Sequence, residues 1–257
     1  MPEKDTHQVP WPAGTDGWLT ALEARHLADL RFSDVARALR ALSSTYVERR
    51  DRLGDKGSLD SRGKRAAFAL FYGPLHLALV RAIVDELPGS GGARHVLDLG
   101  CGSGVAGAAW ASACTPPARV TGLDRHPWTL SEAPLTYRAF GLAGDAMRAD
   151  VTRFRLPRGV DAIVGAFVAN ELDDDDRAEL LTRLLQARRA GARVLIVEPL
   201  STRVAPWWPR WADAFTAAGG RADSWRIPVE LPEIVARLDR AAGLRHAELT
   251  GRSLWMA

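Results

Sequence analysis

Beyond residue 92 the chain alternates short apolar runs with longer amphipathic stretches, the pattern of parallel strands joined by crossover helices. The runs predict strands over His95–Leu99, Arg119–Leu123, Ala162–Val168 and Arg193–Val197, with a weakly patterned one near Ala146–Ala149. The stretches between them predict helices near Val105–Ala113, Leu130–Phe140 and Arg177–Arg189. A helix bearing Trp207, Trp208 and Trp211 follows, then one from Glu233 to Ala242, and then a final extended segment from Arg245 to Trp255. Strands apolar along their whole length are covered on both faces. The expected fold is therefore α/β: a Rossmann-like, doubly wound, mostly parallel sheet with its ligand in the crevice at the carboxyl ends of the strands.

Before the Pro-Gly-Ser-Gly-Gly turn at 88–92 the period is helical. Val35, Leu39, Leu42 and Tyr46 share one face, and Ala67 to Leu87 is a second apolar helical stretch interrupted by Gly73-Pro74. The expected organisation is a flexible tail over 1–15, a helical extension over 16–90 and the Rossmann-like domain over 91–257. The extension is placed to act as a lid, with Tyr72 and His76 turned inward.

With 257 residues, 47% hydrophobic and 25% charged, the chain is too apolar for general disorder and long enough for one domain plus an extension. No apolar run approaches the ~20 residues of a membrane span, and Met1-Pro2-Glu3-Lys4-Asp5 does not read as a secretory signal. A cytoplasmic protein with no membrane partner is expected. Cys101 and Cys114 have neither CxxC spacing nor clustered histidines, so no metal site is expected. The formal charge is +3, and one segment, Tyr46 to Ala66, holds an equal excess. It sets Arg49, Arg50, Arg52, Lys56, Arg62, Lys64 and Arg65 against Glu48, Asp51, Asp55 and Asp60. Interleaved signs read as a solvated surface more readily than as a stripe for nucleic-acid phosphates.

The clearest chemical signal is Val96-Leu97-Asp98-Leu99-Gly100-Cys101-Gly102-Ser103-Gly104, which runs from a buried strand through a glycine turn into a helix. Glycines bend the backbone tightly and let a ligand approach where a Cβ would stand. A dinucleotide fingerprint fails, because Val105 occupies the place of its third glycine. Asp98, just before the turn, repels a pyrophosphate and welcomes a cationic ligand.

On these residues the chain resembles the class I S-adenosylmethionine-dependent methyltransferases. The resemblance implies that Asp98 and Gly100, Cys101, Gly102 and Gly104 cradle the amino-acid part of S-adenosylmethionine. It implies that Asp124, 20 positions after Gly104, accepts the ribose hydroxyls, with Arg125 beside it. Asp150 and its neighbour Val151 take the adenine side, and Asn170-Glu171-Leu172 forms the wall nearest the reactive methyl. The matching set covers about residues 90 to 200. A more particular resemblance joins Arg65 to Leu87, with its Tyr72-Gly73-Pro74, to the glycine loop and the Asn-Glu-Leu tripeptide. It points to the mitochondrial small-ribosomal-subunit methyltransferase-like family and its bacterial relatives, although that family's cysteine ligands for an iron–sulfur cluster are missing here.

Methyl transfer from a sulfonium is an in-line displacement in which the protein mainly orients donor and acceptor. Where the acceptor carries a proton, the candidate catalytic groups are Glu171, with Asn170 beside it, then His126, His76 and Tyr72. Glu171 reads equally well as a carboxylate anchoring the following helix or a neighbouring loop, and His126 reads more readily as an exposed cap of the second helix. Asp173 to Asp176 reads as a helix start rather than a metal cluster. The three tryptophans read as helix packing or as a stacking surface for an aromatic acceptor. Three functions stand: a small-molecule methyltransferase, an rRNA- or ribosome-directed one, and a cofactor-binding assembly factor without turnover. The chain lacks an Asn-Pro-Pro-Tyr-type tetrapeptide after the fourth strand, which would supply carbonyls and a ring for a planar base amine. The small-molecule acceptor is preferred.

Isothermal calorimetry is expected to show S-adenosylmethionine and S-adenosylhomocysteine binding in the micromolar range and no binding of NAD. Binding of NAD alone would overturn the assignment.

Overall fold

The computed structural model describes residues 11, 12, 14–48, 59–201 and 205–257. Most of the expected tail, and Arg49, Arg50, Arg52 and Lys56 of the basic segment, lie outside the described residues. The chain divides into two compact units: the residues up to Leu75 with Arg226–Leu249, and His76–Trp225 with Thr250–Ala257.

The first unit is helical. It contains α1 (Thr15–His26), α2 (Phe32–Glu48), α3 (Arg62–Ala67), the π turn Phe68–Tyr72 and the start of α4 (Gly73–Glu86); α9 (Glu233–Ala241) lies in its second segment. Val35, Leu39 and Leu42 are buried on one face of α2, as their spacing predicts. Arg40 on that helix donates to the Ala241 carbonyl at the end of α9. Gly73-Pro74 does not interrupt the second stretch. The Gly73 N–H reaches back to the Phe68 carbonyl, and this widened turn carries the helix past a proline that has no N–H to give. The continuous run Arg62–Glu86 is therefore 25 residues long, and it is apolar enough to cross a membrane by length and composition. This corrects the expectation that no segment reaches that length. Since 78% of its apolar window is buried inside the protein, it has the character of a core helix.

The second unit is built on a seven-stranded sheet in the order β3-β2-β1-β4-β5-β7-β6. The strands are β1 (His95–Leu99), β2 (Arg119–Asp124), β3 (Gly144–Arg148), β4 (Ala162–Ala166), β5 (Arg193–Glu198), β6 (Arg221–Pro228) and β7 (Glu248–Met256). The pairs among β1 to β5 are parallel, and β7 runs antiparallel to β5 with Glu198 opposite Arg252. The doubly wound expectation holds. Strand β6 has no apolar run to announce it, because an edge strand with mostly exposed side chains needs none.

Helices α5 (Val105–Ala113), α6 (Pro127–Ala139), α7 (Asp174–Arg189) and α8 (Trp208–Ala217) belong to this unit. Helix α7 begins earlier than its apolar periodicity suggests, because Asp173 caps it by accepting the Asp176 N–H at 2.8 Å. The acidic run serves the helix start. Leu97, Leu99, Ile163, Val194 and Ile196 of the strands form a core with Leu180 and Leu184 of α7 and with Trp208, Trp211 and Phe215 of α8.

Gly104 opens α5 at φ 80°, and a Cβ there would stand 2.9 Å from the Ala133 backbone and the Tyr137 ring of α6. Gly104→Ala is expected to destabilise the fold by about 1–3 kcal/mol through overpacking against a helix backbone that cannot yield. A lower urea midpoint with unchanged slope checks this.

Candidate active site

The site is assembled at the carboxyl ends of β1, β2, β3 and β4, all within the second unit. Strand β1 ends in the glycine turn, where Gly100 is left-handed at φ 65°. A Cβ on Gly100 would stand 2.5 Å from a methyl of Val168, so the turn closes against the residues after β4. Cys101 is buried, its N–H donates to the Leu123 carbonyl of β2, and burial followed by Asp98 and Asp124 pushes its thiol pKa up.

Asp98 is buried beneath this turn. Its Oδ2 accepts the Gly107 N–H of α5 at 2.8 Å, and its Oδ1 has no hydrogen-bond partner among the described residues. Burial, joined by the charge of Asp124 and opposed by the Gly107 N–H, pushes its pKa up to about 7. An unsatisfied buried carboxyl oxygen beside a glycine turn fits the cationic amino-acid end of S-adenosylmethionine, which would supply the missing donor and stabilise the ionised form.

Asp124 ends β2 and ties two loops together. Its Oδ2 accepts the Gly102 N–H at 3.0 Å, and its Oδ1 accepts the His126 N–H at 2.8 Å. Each carboxylate oxygen still has a lone pair for a ribose hydroxyl. Arg125 is exposed, and its charge reaches both Asp150 and Glu171. His126 caps α6: its Nδ1 accepts the Trp128 N–H at 3.1 Å, which commits one ring nitrogen to the helix. Asp150, after β3, accepts the amide and hydroxyl of Thr152 through Oδ1. Burial raises its pKa, but the Thr152 hydrogen bonds and the charges of Arg125 and Arg153 outweigh it and hold the carboxyl below its ordinary value. Val151 is buried in the core.

Beyond β4 the chain turns sharply. Phe167 adopts φ 59°, a costly conformation for a bulky residue, and its N–H donates to the Val197 carbonyl of β5. The tight turn Ala169–Glu171 that follows is fixed from three sides. Glu198 at the end of β5 accepts the Ala169 N–H at 2.8 Å. Arg177 of α7 donates to the carbonyls of Ala169 and Leu172. The Trp207 indole donates to Asn170 Oδ1 at 3.1 Å. Glu171 reaches solvent, yet protein atoms surround it closely, as they do for a group lining a cleft. Burial, then the charge of Asp124, push its pKa up to about 7 against the pull of Arg125.

The structure thus brings Asp98, the glycine turn, Asp124, Arg125, Asp150, Asn170 and Glu171 to one end of the sheet. Tyr72 belongs to the first unit, where its hydroxyl lies 3.0 Å from that of Ser43 and burial raises its pKa. His76 stacks on Phe167 with ring centroids 3.8 Å apart, and burial pushes its pKa down to about 3, which leaves a neutral and weakly basic imidazole. Trp208 and Trp211 pack in the core, while half-buried Trp207 serves Asn170. Sequence reasoning missed Phe167, Arg177 and Glu198. The one available signal was Glu198, a carboxyl closing an otherwise apolar strand.

Asp124→Ala removes the anchor of the Gly102 and His126 amides as well as the candidate ribose ligand. Affinity for S-adenosylhomocysteine is expected to fall by at least about tenfold, since a charge-assisted hydrogen bond contributes roughly 1.5–3 kcal/mol. Calorimetry beside an unchanged far-ultraviolet dichroism spectrum checks it; unaltered affinity would remove Asp124 from the site.

A family model described as a methyltransferase domain matches residues 96–191. The chain is 33% identical over 156 residues to Ribosomal RNA small subunit methyltransferase C of Chromohalobacter salexigens, covering 58% of this chain and 44% of that protein. It is 39% identical over 102 residues to Ribosomal RNA large subunit methyltransferase G of Pseudomonas aeruginosa, covering 35% of this chain and 27% of that one. The chain therefore spans less than half the length of the curated relatives it matches. Mitomycin 7-O-methyltransferase MmcR superposes with a TM-score of 0.53 at 19% identity, over 95% of this chain and 73% of its own. An O-methyltransferase family protein from Burkholderia thailandensis gives 0.55 at 17% identity, over 93% and 70%. At these identities the structural likeness is one of fold. The match over 96–191 marks a methyltransferase domain, and the sheet around it has the Rossmann-like class I methyltransferase fold.

Proposed function

We propose that the protein is an S-adenosylmethionine-dependent methyltransferase whose acceptor is a small molecule held beside Asn170 and Glu171. The observation that carries this reading is the anchored turn after β4, which sets the accessible Glu171 carboxyl within electrostatic reach of Asp124 and Arg125. S-adenosylmethionine, when bound, supplies a methyl group on a cationic sulfur as the electrophile. The residues that would hold it are Asp98, the glycine turn, Asp124 and Asp150. Glu171 then serves as the proton acceptor for a hydroxyl or ammonium group. A carboxyl whose pKa is near 7 is ionised often enough to take the proton and basic enough to keep it. One lone pair of Asn170 Oδ1 is already engaged by Trp207, so the side chain's free donors are its amide hydrogens.

A second reading, methylation of rRNA, is favoured by the names of the curated relatives. Two observations support the small molecule over it. Asn170 is followed by Glu171, Leu172 and Asp173, and Asp173 stands at the fourth position, where the tetrapeptide has its stacking ring. Of the basic segment, the three described residues are engaged locally: Arg62 with Asp29, Lys64 with Asp60, and Arg65 with the Leu59 carbonyl. A cytoplasmic setting belongs to the same proposal and is supported by Cys101 and Cys114, both buried free thiols.

Tritium-labelled methyl transfer across a panel of hydroxylated and amine-bearing metabolites and small-subunit rRNA tests the proposal. Label is expected in a metabolite. Because Glu171 acts ionised and its pKa is raised, kcat should climb through about pH 7 rather than near the ordinary glutamate value. Glu171→Gln should abolish that limb and lower kcat by roughly a hundredfold or more. Label only in rRNA, with an affinity falling at a log–log salt slope of about −0.7 per phosphate contact, would replace the small-molecule acceptor. Binding without transfer to any acceptor would point to the assembly factor.

A further inference from the structure

We propose that Glu198 is the positioning residue of this site: its buried carboxyl holds the Ala169–Glu171 turn and, through it, the side chains of Asn170 and Glu171. The functional consequence rests on the methyltransferase reading above; the structural one does not.

Glu198 is the last residue of β5 and is fully buried. Strand ends inside a core are normally apolar, because a buried carboxyl without compensation costs several kcal/mol. Here one oxygen is compensated by the turn itself. Oε1 accepts the Ala169 N–H at 2.8 Å, and the backbone N–H of Asn170 also points at the carboxyl. Oε2 is buried with no hydrogen-bond partner among the described residues. The opposing strand offers a cation, but the hydrogen bonds that Arg252 makes go to backbone carbonyls and not to Glu198. The Arg252 Nε donates to the Pro199 carbonyl at 2.9 Å, one of its two outer nitrogens, Nη2, donates to the Leu200 carbonyl, and its guanidinium lies 4.8 Å over the Trp208 ring. The hydrogen bonds to Glu198 thus come from the turn that carries Asn170 and Glu171.

The groups facing Glu198 also set its charge. Burial and then the Glu171 carboxylate raise its pKa, while the Ala169 and Asn170 amides and Arg252 oppose them, with a result of about 8. Glu171, at about 7, ionises first. Near neutrality Glu198 mostly keeps its proton, and a carbonyl oxygen does the accepting. Glutamine matches that form in shape and keeps its carbonyl acceptor, whereas alanine removes it.

Amide hydrogen exchange on the full chain, corrected for the intrinsic pH dependence of exchange, tests the assignment alongside calorimetry with S-adenosylhomocysteine. In Glu198→Ala the Ala169 and Asn170 amides should exchange at least about tenfold faster, with the S-adenosylhomocysteine Kd unchanged within about twofold. Glu198→Gln should retain wild-type protection at neutral pH. Above about pH 8 it should fall behind the wild type, whose acceptor there gains a charge and grips the amides more strongly. Unchanged protection in Glu198→Ala would overturn the proposal. So would a Glu198→Gln variant as unprotected as Glu198→Ala, since a retained carbonyl would then not be what holds the turn. If Glu198→Ala does not fold, Glu198→Met, which keeps the side-chain volume without a carbonyl acceptor, is compared with Glu198→Gln at neutral pH, and equal protection of the Ala169 amide in the two overturns it. Failure of the wild type to bind S-adenosylhomocysteine would sink the methyltransferase reading alone, leaving the exchange result to stand or fall by itself.

Discussion

There is no room for a methyl group in the turn that follows β1. Val168 presses where a Cβ of Gly100 would be, and α6 does the same at Gly104. Close packing of this kind is unforgiving because neither neighbour is the free end of a flexible side chain. Its consequence is that the turn, the residues after β4 and the start of α5 are fixed together. The Asp124 carboxylate then adds the loop after β2 by accepting the Gly102 and His126 amides. Every candidate ligand for the cofactor's amino acid and ribose hangs on this one junction. The left-handed Phe167 is the local cost of bringing Val168 onto Gly100, and it is held by a hydrogen bond to β5.

The electrostatics of this end of the sheet follow from how its carboxyl groups are satisfied. Asp98 and Glu198 are each met by backbone N–H on one oxygen, and the other oxygen has no hydrogen-bond partner among the described residues. Burial raises both, and with Glu171 they form a set of acids whose pKa values lie near or above neutrality. A region with that many reluctant anions gains from a cation, and a sulfonium that also carries an ammonium group is suited to it. Asp150 stands apart. Its Thr152 hydrogen bonds and neighbouring arginines keep it readily ionised, as an acceptor for a neutral heterocyclic amine should be.

The aromatic residues illustrate how one element serves two purposes. Helix α8 buries Trp208, Trp211 and Phe215 in the core, which fixes its orientation. That anchoring leaves Trp207 at its start with an indole N–H aimed at Asn170. Packing thereby delivers a polar contact to the site without any separate device.

The sequence by itself determined the α/β class, the places of the parallel strands along the chain and the nature of the glycine turn. These depend on local signals: apolar runs of strand length, helical spacing and glycines where the backbone must turn left-handed. Asp98 was a candidate through its charge before the glycine turn, and Asp124, Asp150 and Glu171 were candidates through the resemblance to the class I methyltransferases. Three features were decided only by tertiary structure. The Gly73-Pro74 step became a π turn inside one long helix, since helix continuity is won by burial along its whole length rather than by the propensity of two residues. Strand β6 formed from a polar segment because β7 offered it an edge. Glu198 and Arg177 became supports of the Asn170–Glu171 turn because strand pairing and helix packing bring residues distant in sequence onto the same few backbone groups, and buried N–H and C=O groups must find partners wherever the fold supplies them.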